Sequence, residues 1–145
     1  MSPSQVQTIN QSGAGVDLSS RFKTTVALVG SPAGAAETII AQTSVPDSIA
    51  AVTGVLVEGY AAFLIGTSGT AARMRIRQTN VSGTVVADSD AVTGGITAGN
   101  KVTMSVNGID IAPSLPGQVY CLTLTITAGA ASSTVAFVCL NLQVV

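Results

Sequence analysis

Short runs of alternating apolar and polar residues fill most of the chain, and clusters of glycine, proline, asparagine, aspartate and serine separate them. No segment keeps the spacing of an amphipathic helix, in which apolar residues recur at every third or fourth position. The pattern therefore predicts an all-β protein. The predicted strands are 22–29, 37–43, 52–65, 71–79, 84–88, 101–106, 109–112, 118–127 and 134–145.

The strongest turn signal is the Asn107-Gly108 pair, which lies between two apolar runs in KVTMSVNGIDIA. Both residue types tolerate the positive φ that a two-residue type I′ turn requires. The pair predicts a hairpin across which Val106 faces Ile109 and Met104 faces Ile111. A single helical turn is expected over 46–51, because its first residue is a proline.

The ends of the chain point to association with other molecules. Residues 1–20 are polar and contain glycine, which predicts an extended arm that is ordered only on a partner. The rest, 21–145, forms one domain. The last predicted strand, 134–145, is apolar on both faces, with Val135, Phe137 and Cys139 opposite a second apolar row. Both faces of such a strand must be covered by other residues. We therefore expect a subunit contact that includes Phe137 and also Tyr120, from the predicted strand 118–127.

The composition supports a covered surface. Charged residues make up 9% of the 145 residues and the formal net charge is −1, whereas charged residues usually make up about 25% of a chain. A domain so poor in charge is weakly protected against association, and we expect other copies to cover part of it. Together with the short strands, this favours an antiparallel two-sheet β-sandwich of the jelly-roll type in an oligomer.

Neither export nor a membrane is predicted. The first 20 residues lack the basic region and apolar core of a signal peptide. No charged residue follows Asp110, but polar residues interrupt that stretch, and a transmembrane helix needs ~20 predominantly apolar residues. We expect synthesis in a cytoplasm and no membrane partner.

Three stretches between approximately residues 50 and 128 carry a resemblance: VTGVLVEGYAAFLIGTSGTAARMRIRQTNVSGTVV, ITAGNKVTMSV and PGQVYCLTLTI. Their strands and turns resemble those of small virion structural proteins of tailed bacteriophages, which are head decoration or fibre-like components. Several of these have tumour-necrosis-factor-like jelly rolls that form trimers. The resemblance implies a homotrimer on the capsid surface of a virion, with the major capsid protein or another virion protein as its partner.

The chain offers few residues for catalysis. Histidine is absent, which removes the commonest general base and metal ligand. Two cysteines alone cannot complete a four-ligand zinc site. Asp88 and Asp90 are expected as solvated loop acids, because a calcium loop needs more oxygen ligands than VVADSDAVTGG supplies. The glycines match no nucleotide-binding motif. We expect a non-enzyme without catalytic residues, metal or cofactor.

Cys121 and Cys139 are symmetric about the loop AGAASS, so a hairpin between 118–127 and 134–145 would place them on adjacent strands. A disulfide is geometrically conceivable, but a cytoplasm is reducing. We expect two adjacent, reduced thiols that behave as small apolar residues. Without secretion, the N-glycosylation sequons at Asn10 and Asn80 are expected to have no function.

Half of the six basic residues, Arg73, Arg75 and Arg77, alternate along TAARMRIRQT. A strand puts them on one face and the apolar residues between them on the other. With three phosphate contacts, the logarithm of the binding constant would fall with the logarithm of the salt concentration at a slope of only about −2.7. Binding would then be roughly fortyfold weaker at 200 mM salt than at 50 mM. Aromatic residues that could stack on bases are few. We therefore expect no nucleic-acid partner.

Carboxylates are the expected partners of this arginine row, because arginine contacts them in a planar, bidentate manner. The candidates are Glu58, Asp88 and Asp90, in the same chain or in another subunit. Such pairs would fix the register between strands or subunits. We expect Arg75→Ala to weaken assembly or attachment to a virion more than any affinity for nucleic acid.

The sequence favours a capsid decoration or cement protein. A receptor- or carbohydrate-binding tip of a head or tail fibre on the same scaffold is the alternative, although the chain has no tryptophan and only 3% aromatic residues. A cellular trimeric jelly roll or a surface-layer component is more distant, because export would require a signal.

Overall fold

The computed structural model describes residues 21–24, 36–127 and 132–145. Within these ranges the chain forms eight β-strands and no helix. The strands are β1 Arg21–Thr24, β2 Thr38–Ser44, β3 Val55–Thr67, β4 Ala71–Gln78, β5 Val85–Asp88, β6 Lys101–Asp110, β7 Val119–Thr127 and β8 Ser132–Val144. The predicted all-β character is confirmed.

The strands form two four-stranded sheets. Sheet 1 has the order β1-β8-β3-β6 and sheet 2 the order β2-β7-β4-β5. The pairing is nested, because β1 pairs with β8, β2 with β7, β3 with β6 and β4 with β5, each antiparallel. A long antiparallel ribbon rolled up in this way is a jelly roll. The predicted two-sheet antiparallel sandwich is therefore confirmed.

Side-chain alternation explains how the sheets pack. Along β3 every second residue from Val55 to Ile65 points into the core, and the residues between them face outward. In β4, Met74 and Ile76 are fully buried, as the alternation predicted. The largest fully buried side chains come from both sheets: Ile40, Phe63, Ile65, Met74, Ile76, Tyr120, Leu122, Leu124, Ile126, Leu140 and Leu142. One apolar core thus holds the two sheets together.

The hairpin predicted at Asn107-Gly108 is wrong. β6 continues through both residues, which pair with Glu58 and Val57 of β3. Gly108 also lies against β5, where a Cβ would be 2.7 Å from the carbonyl oxygen of Val86. A glycine inside a strand often marks such a close backbone approach. The expected contacts of Val106 with Ile109 and of Met104 with Ile111 across a turn do not form.

The terminal strand also differs from its prediction. Ala62 pairs with Phe137 and Phe63 with Val135, so Ala136 is the extra residue of a β-bulge. The bulge turns Val135 into the core, although simple alternation would place it beside Phe137 on the outer face. One of the three residues that suggested a second apolar face is therefore a core residue.

Three smaller predictions have separate outcomes. Instead of a helical turn, 46–51 contains a hydrogen-bonded turn in which the Ile49 amide donates to the Pro46 carbonyl at 3.0 Å. β7 and β8 lie in different sheets, so the predicted hairpin between them is wrong. The arm over 1–20 lies outside the described residues, as does the end of the predicted strand 22–29.

Candidate interaction surfaces

The arginine row on the outer face of sheet 2 pairs with carboxylates of its own chain. Arg73 donates two hydrogen bonds to Asp88, from Nε to Oδ1 and from Nη2 to Oδ2, each 2.7 Å long. Asp88 ends β5, the strand next to β4, and is opposite Arg75 in the register. Arg75 Nε donates to Asp88 Oδ2 at 3.0 Å. One carboxylate thus holds two of the three arginines.

Glu37 holds the other end of the row. Its Oε1 accepts from Arg75 Nη1 at 2.9 Å and from Arg77 Nη2 at 3.0 Å, and its Oε2 accepts from Arg77 Nε at 2.6 Å. The hydroxyl of Thr123, on the intervening strand β7, also donates to Oε2 at 2.6 Å. Arg77 donates further to the Gly83 carbonyl at 2.9 Å. Glu37, Asp88 and Thr123 together with the three arginines are called the arginine ladder below.

The ladder neutralises most of its own charge. Hydrogen bonds from Arg73 and Arg75 outweigh partial burial and lower the pKa of Asp88 to about 2. Burial raises the pKa of Glu37, but hydrogen bonds from Arg77 and Thr123 outweigh it and leave that pKa below its ordinary value. Both carboxylates are therefore ionised at neutral pH and face three arginines. Little positive charge remains for a phosphate ligand.

The ladder includes only part of the predicted partner set. Asp88 pairs with the row, while Asp90 donates its backbone amide to Asp88 Oδ1 at 3.0 Å and contributes only a nearby negative charge. Glu58 lies on β3 in the other sheet, so it is not a partner of the row within one chain. Glu37 was not among the predicted partners, because it reaches β4 across β7 and no local pattern in the sequence indicates that contact. The effect of Arg75→Ala on assembly stays a prediction.

Tyr120 is a core residue and not a surface contact. Its side chain is fully buried, and its hydroxyl donates to Asp110 Oδ2 at 2.8 Å. Burial and the neighbouring Asp110 carboxylate raise the pKa of Tyr120 far above its usual range, so the phenol stays protonated. Asp110 also accepts from Gln78 Nε2 at 2.6 Å and from the Ala112 amide at 3.0 Å. The predicted contact role of Tyr120 is therefore wrong for a folded protomer.

Sheet 1 exposes an aromatic pair on its outer face. Tyr60 and Phe137 are 41% and 46% exposed, and their ring centroids lie 5.7 Å apart at an interplanar angle of 64°. Beside them, Glu58, Ser105, Asn107 and Asn141 line a depression. Glu58 and Phe137, both predicted contact residues, thus belong to one face, opposite to the face that carries the arginine ladder.

A second exposed apolar region lies where the last strands of the two sheets meet. Val85 of β5 is 40% exposed, Ile109 of β6 is 48% exposed, and Ile111 just after β6 is 77% exposed. All three line one groove between the strands. We call Val85, Ile109 and Ile111 the β5–β6 edge. This edge was not predicted from the sequence, because the predicted hairpin placed Ile109 and Ile111 against other apolar residues.

The two cysteines are not adjacent, because Cys121 is in sheet 2 and Cys139 in sheet 1. Both are buried free thiols, and burial raises the pKa of Cys121. The described ranges contain no group of three or more histidine, cysteine, aspartate or glutamate residues that could hold a metal ion. Nor do they contain a helix with the length and apolar character needed to cross a membrane.

No protein-family model and no curated protein sequence matches the chain. Among solved structures, a structure of infectious bursal disease virus, Gx strain, is similar over 94% of this chain, with a TM-score of 0.55 and 18% identity. This chain spans 36% of that one. A structure of the Gt strain aligns with a TM-score of 0.39, 15% identity, 97% of this chain and 47% of the other. At such identities the first similarity concerns the fold alone.

Proposed function

We propose that the protein is a non-enzymatic structural protein of a virion, which decorates or cements the capsid surface. The jelly-roll order of the eight strands supports this proposal, together with the likeness of nearly the whole chain to part of a virus structure. The resemblance of approximately residues 50–128 to head decoration or fibre-like proteins of tailed bacteriophages supports the narrower role. In such a role the protein acts through its surfaces, and its sequence has no histidine for acid–base chemistry.

The observation that carries the proposal is the contrast between two surfaces of the protomer. On the outer face of sheet 2, the arginine ladder pairs its charges within the chain. At the β5–β6 edge, three large apolar side chains stay in contact with water. Exposed apolar patches commonly mark protein–protein interaction sites. Self-association therefore fits the β5–β6 edge better than the arginine ladder.

Copies of the chain associate through the β5–β6 edge as a homotrimer, and a second virion protein, such as the major capsid protein, binds another surface. A stable specific contact buries ~800 Å² per partner, and closed symmetry repeats it at each interface. The groove that the edge lines contains one charged residue, Asp110, which is buried and accepts hydrogen bonds from Tyr120, Gln78 and the Ala112 amide. Burial of the edge in a contact between copies therefore leaves no charged group without a partner.

Nucleic acid and membranes are not partners in this proposal. The arginines that a phosphate backbone would need are held by Glu37 and Asp88. The protein is made in a cytoplasm and reaches the virion surface by assembly.

The mass of the purified protein tests the proposal, measured by native mass spectrometry alone and after mixing with empty capsids of the same virus. We expect a trimer that saturates a fixed number of capsid sites. Ile111→Asp should shift the trimer towards monomer, because it would bury a charge in the contact. Val81→Asp is the matched control, since Val81 is also an exposed apolar residue but lies in the β4–β5 turn. A monomer without affinity for capsids would contradict the proposal.

A further inference from the structure

Asp110 joins the two sheets at the β5–β6 edge. It is the last residue of β6 in sheet 1, and it is buried. Its Oδ2 accepts hydrogen bonds from the Tyr120 hydroxyl of β7 at 2.8 Å and from Gln78 Nε2 of β4 at 2.6 Å. Gln78 and Tyr120 are opposite each other in the register of sheet 2. A carboxylate of sheet 1 is therefore held by two neighbouring strands of sheet 2.

The other oxygen of the same carboxylate holds the backbone that follows β6. Asp110 Oδ1 accepts a hydrogen bond from the amide of Ala112 at 3.0 Å. A bond from an aspartate side chain to the backbone two residues further on forms an Asx turn, which restricts the residue between them. That residue is Ile111, which is 77% exposed. Ile111 lies beyond the last residue of β6, so the pairing of β6 with β3 does not hold it.

The carboxylate of Asp110 links the conformation of Ile111 to the core. Its two oxygens are rigidly connected, so Tyr120 and Gln78, which hold Oδ2, also fix the place of Oδ1. Buried side chains that are joined by hydrogen bonds form a rigid network. An exposed side chain that is already held in its bound arrangement loses less conformational freedom when a contact forms, which strengthens the contact. The arrangement of Ile111 is therefore set before another copy binds.

We propose that Asp110 is a positioning residue of the contact between copies of the chain. It acts through Ile111, because its carboxylate holds the turn after β6 from which Ile111 projects. Since Ile111 belongs to the β5–β6 edge, this inference rests on the proposed function. It adds that a buried polar residue, as well as the exposed apolar ones, determines the strength of the contact.

A double-mutant cycle of Asp110→Ala and Ile111→Ala tests this role, with the dissociation of the trimer measured by analytical ultracentrifugation. We expect Asp110→Ala to weaken each subunit contact by about tenfold, which corresponds to ~1.4 kcal/mol. In the Ile111→Ala background it should have almost no further effect, because the side chain that Asp110 positions is then missing. If the two residues acted independently, their effects would add.

Two further variants separate positioning from stability. Ile40→Val removes a buried methyl group from β2, at the opposite edge of sheet 2 from β5, and should lower stability without weakening the trimer. Asp110→Asn keeps an oxygen for the Ala112 amide and offers an NH₂ group to the Tyr120 hydroxyl, so it should retain most of the trimer affinity. Hydrogen exchange of the Ala112 amide should be slow in the original protein and in Asp110→Asn but fast in Asp110→Ala.

The outcomes distinguish this inference from the proposed function. If the original protein is a monomer, both are wrong. If Ile111→Asp dissociates a trimer but Asp110→Ala leaves its affinity unchanged, the positioning role alone is wrong, and the same holds if the effects of Asp110→Ala and Ile111→Ala add. If Asp110→Ala does not fold, hydrogen exchange of Ala112 in the original protein decides. Fast exchange would overturn the role of Asp110, and slow exchange would support it.

Discussion

Glu37 and Arg77 form a 2.6 Å hydrogen bond although 40 residues separate them in the chain. Glu37 immediately precedes β2, Arg77 lies in β4, and Thr123 of β7 donates to the same carboxylate from between them. Asp88, the last residue of β5, continues this series of contacts by pairing with Arg75. The arginine ladder thus connects β4, β5 and β7 with the residue that precedes β2, across the outer face of sheet 2 and opposite the face that packs on the core.

Arg75→Ala should lower the free energy of unfolding by about 1 kcal/mol. Arg75 is the residue that joins the two carboxylates of the ladder, and its side chain is only 22% exposed. After the substitution each carboxylate keeps one arginine partner, Arg73 for Asp88 and Arg77 for Glu37. The loss of unfolding free energy should therefore lie between the loss expected for an exposed ion pair and that expected for a buried one. Urea unfolding followed by circular dichroism measures it.

Lys101→Ala is the control for Arg75→Ala, because it removes the same charge from an exposed position of β6. Its unfolding free energy should change by less than ~0.5 kcal/mol. Equal losses in the two variants would show that the ladder contacts contribute nothing beyond net charge. A lower oligomer mass for folded Arg75→Ala would bear out the sequence-based expectation that the row also contacts another chain.

Asp88→Asn should change how the free energy of unfolding depends on pH. The folded-state pKa of Asp88 is about 2, against an ordinary value of 3.8, because its carboxylate accepts hydrogen bonds from Arg73 and Arg75. A lowered pKa means that the stabilisation is complete above about pH 4 and is lost as the pH falls towards 2. The variant should therefore be less stable than the original protein at pH 7, and the difference should shrink between pH 4 and pH 2.

Urea unfolding at several pH values between 2 and 7 measures this difference. Asp47→Asn serves for comparison, because Asp47 is exposed and forms no ion pair with the side chains that the structure describes. Its stability difference from the original protein should vary little over the same range. A difference for Asp88→Asn that grows as the pH falls would contradict the assigned contacts.

Features that depend on local alternation could be predicted from the sequence. Period two alone places Arg73, Arg75 and Arg77 opposite the buried Met74 and Ile76. The pairing of Asp88 with the row also follows from proximity, because β4 and β5 are consecutive strands joined by a short turn. Neighbouring elements in sequence are commonly neighbours in a sheet.

Features that depend on strand order could not be predicted. Glu37 reaches the arginines because β2 is only two strands from β4 in sheet 2, with β7 between them. The bulge at Ala136 reverses the inward face of β8, and simple alternation cannot anticipate an extra residue. The polar depression of sheet 1 combines Asn107 with Asn141, which the predicted turn would have separated. Non-local pairing, rather than residue chemistry, limited what the sequence revealed.

Gly108→Ala distinguishes the strand from the turn that the sequence suggested. At 2.7 Å from the Val86 carbonyl oxygen and 2.9 Å from Ala87 Cβ, an added Cβ forces β5 and β6 apart. Such overpacking costs ~1–3 kcal/mol, which calorimetry detects as a lower melting temperature. Gly94→Ala, whose Cβ meets no atom within 4 Å, should leave the melting temperature nearly unchanged. Because Val86 adjoins Val85 of the β5–β6 edge, Gly108→Ala should also weaken the proposed trimer. Equal melting temperatures for both variants would refute the close approach of β6 to β5.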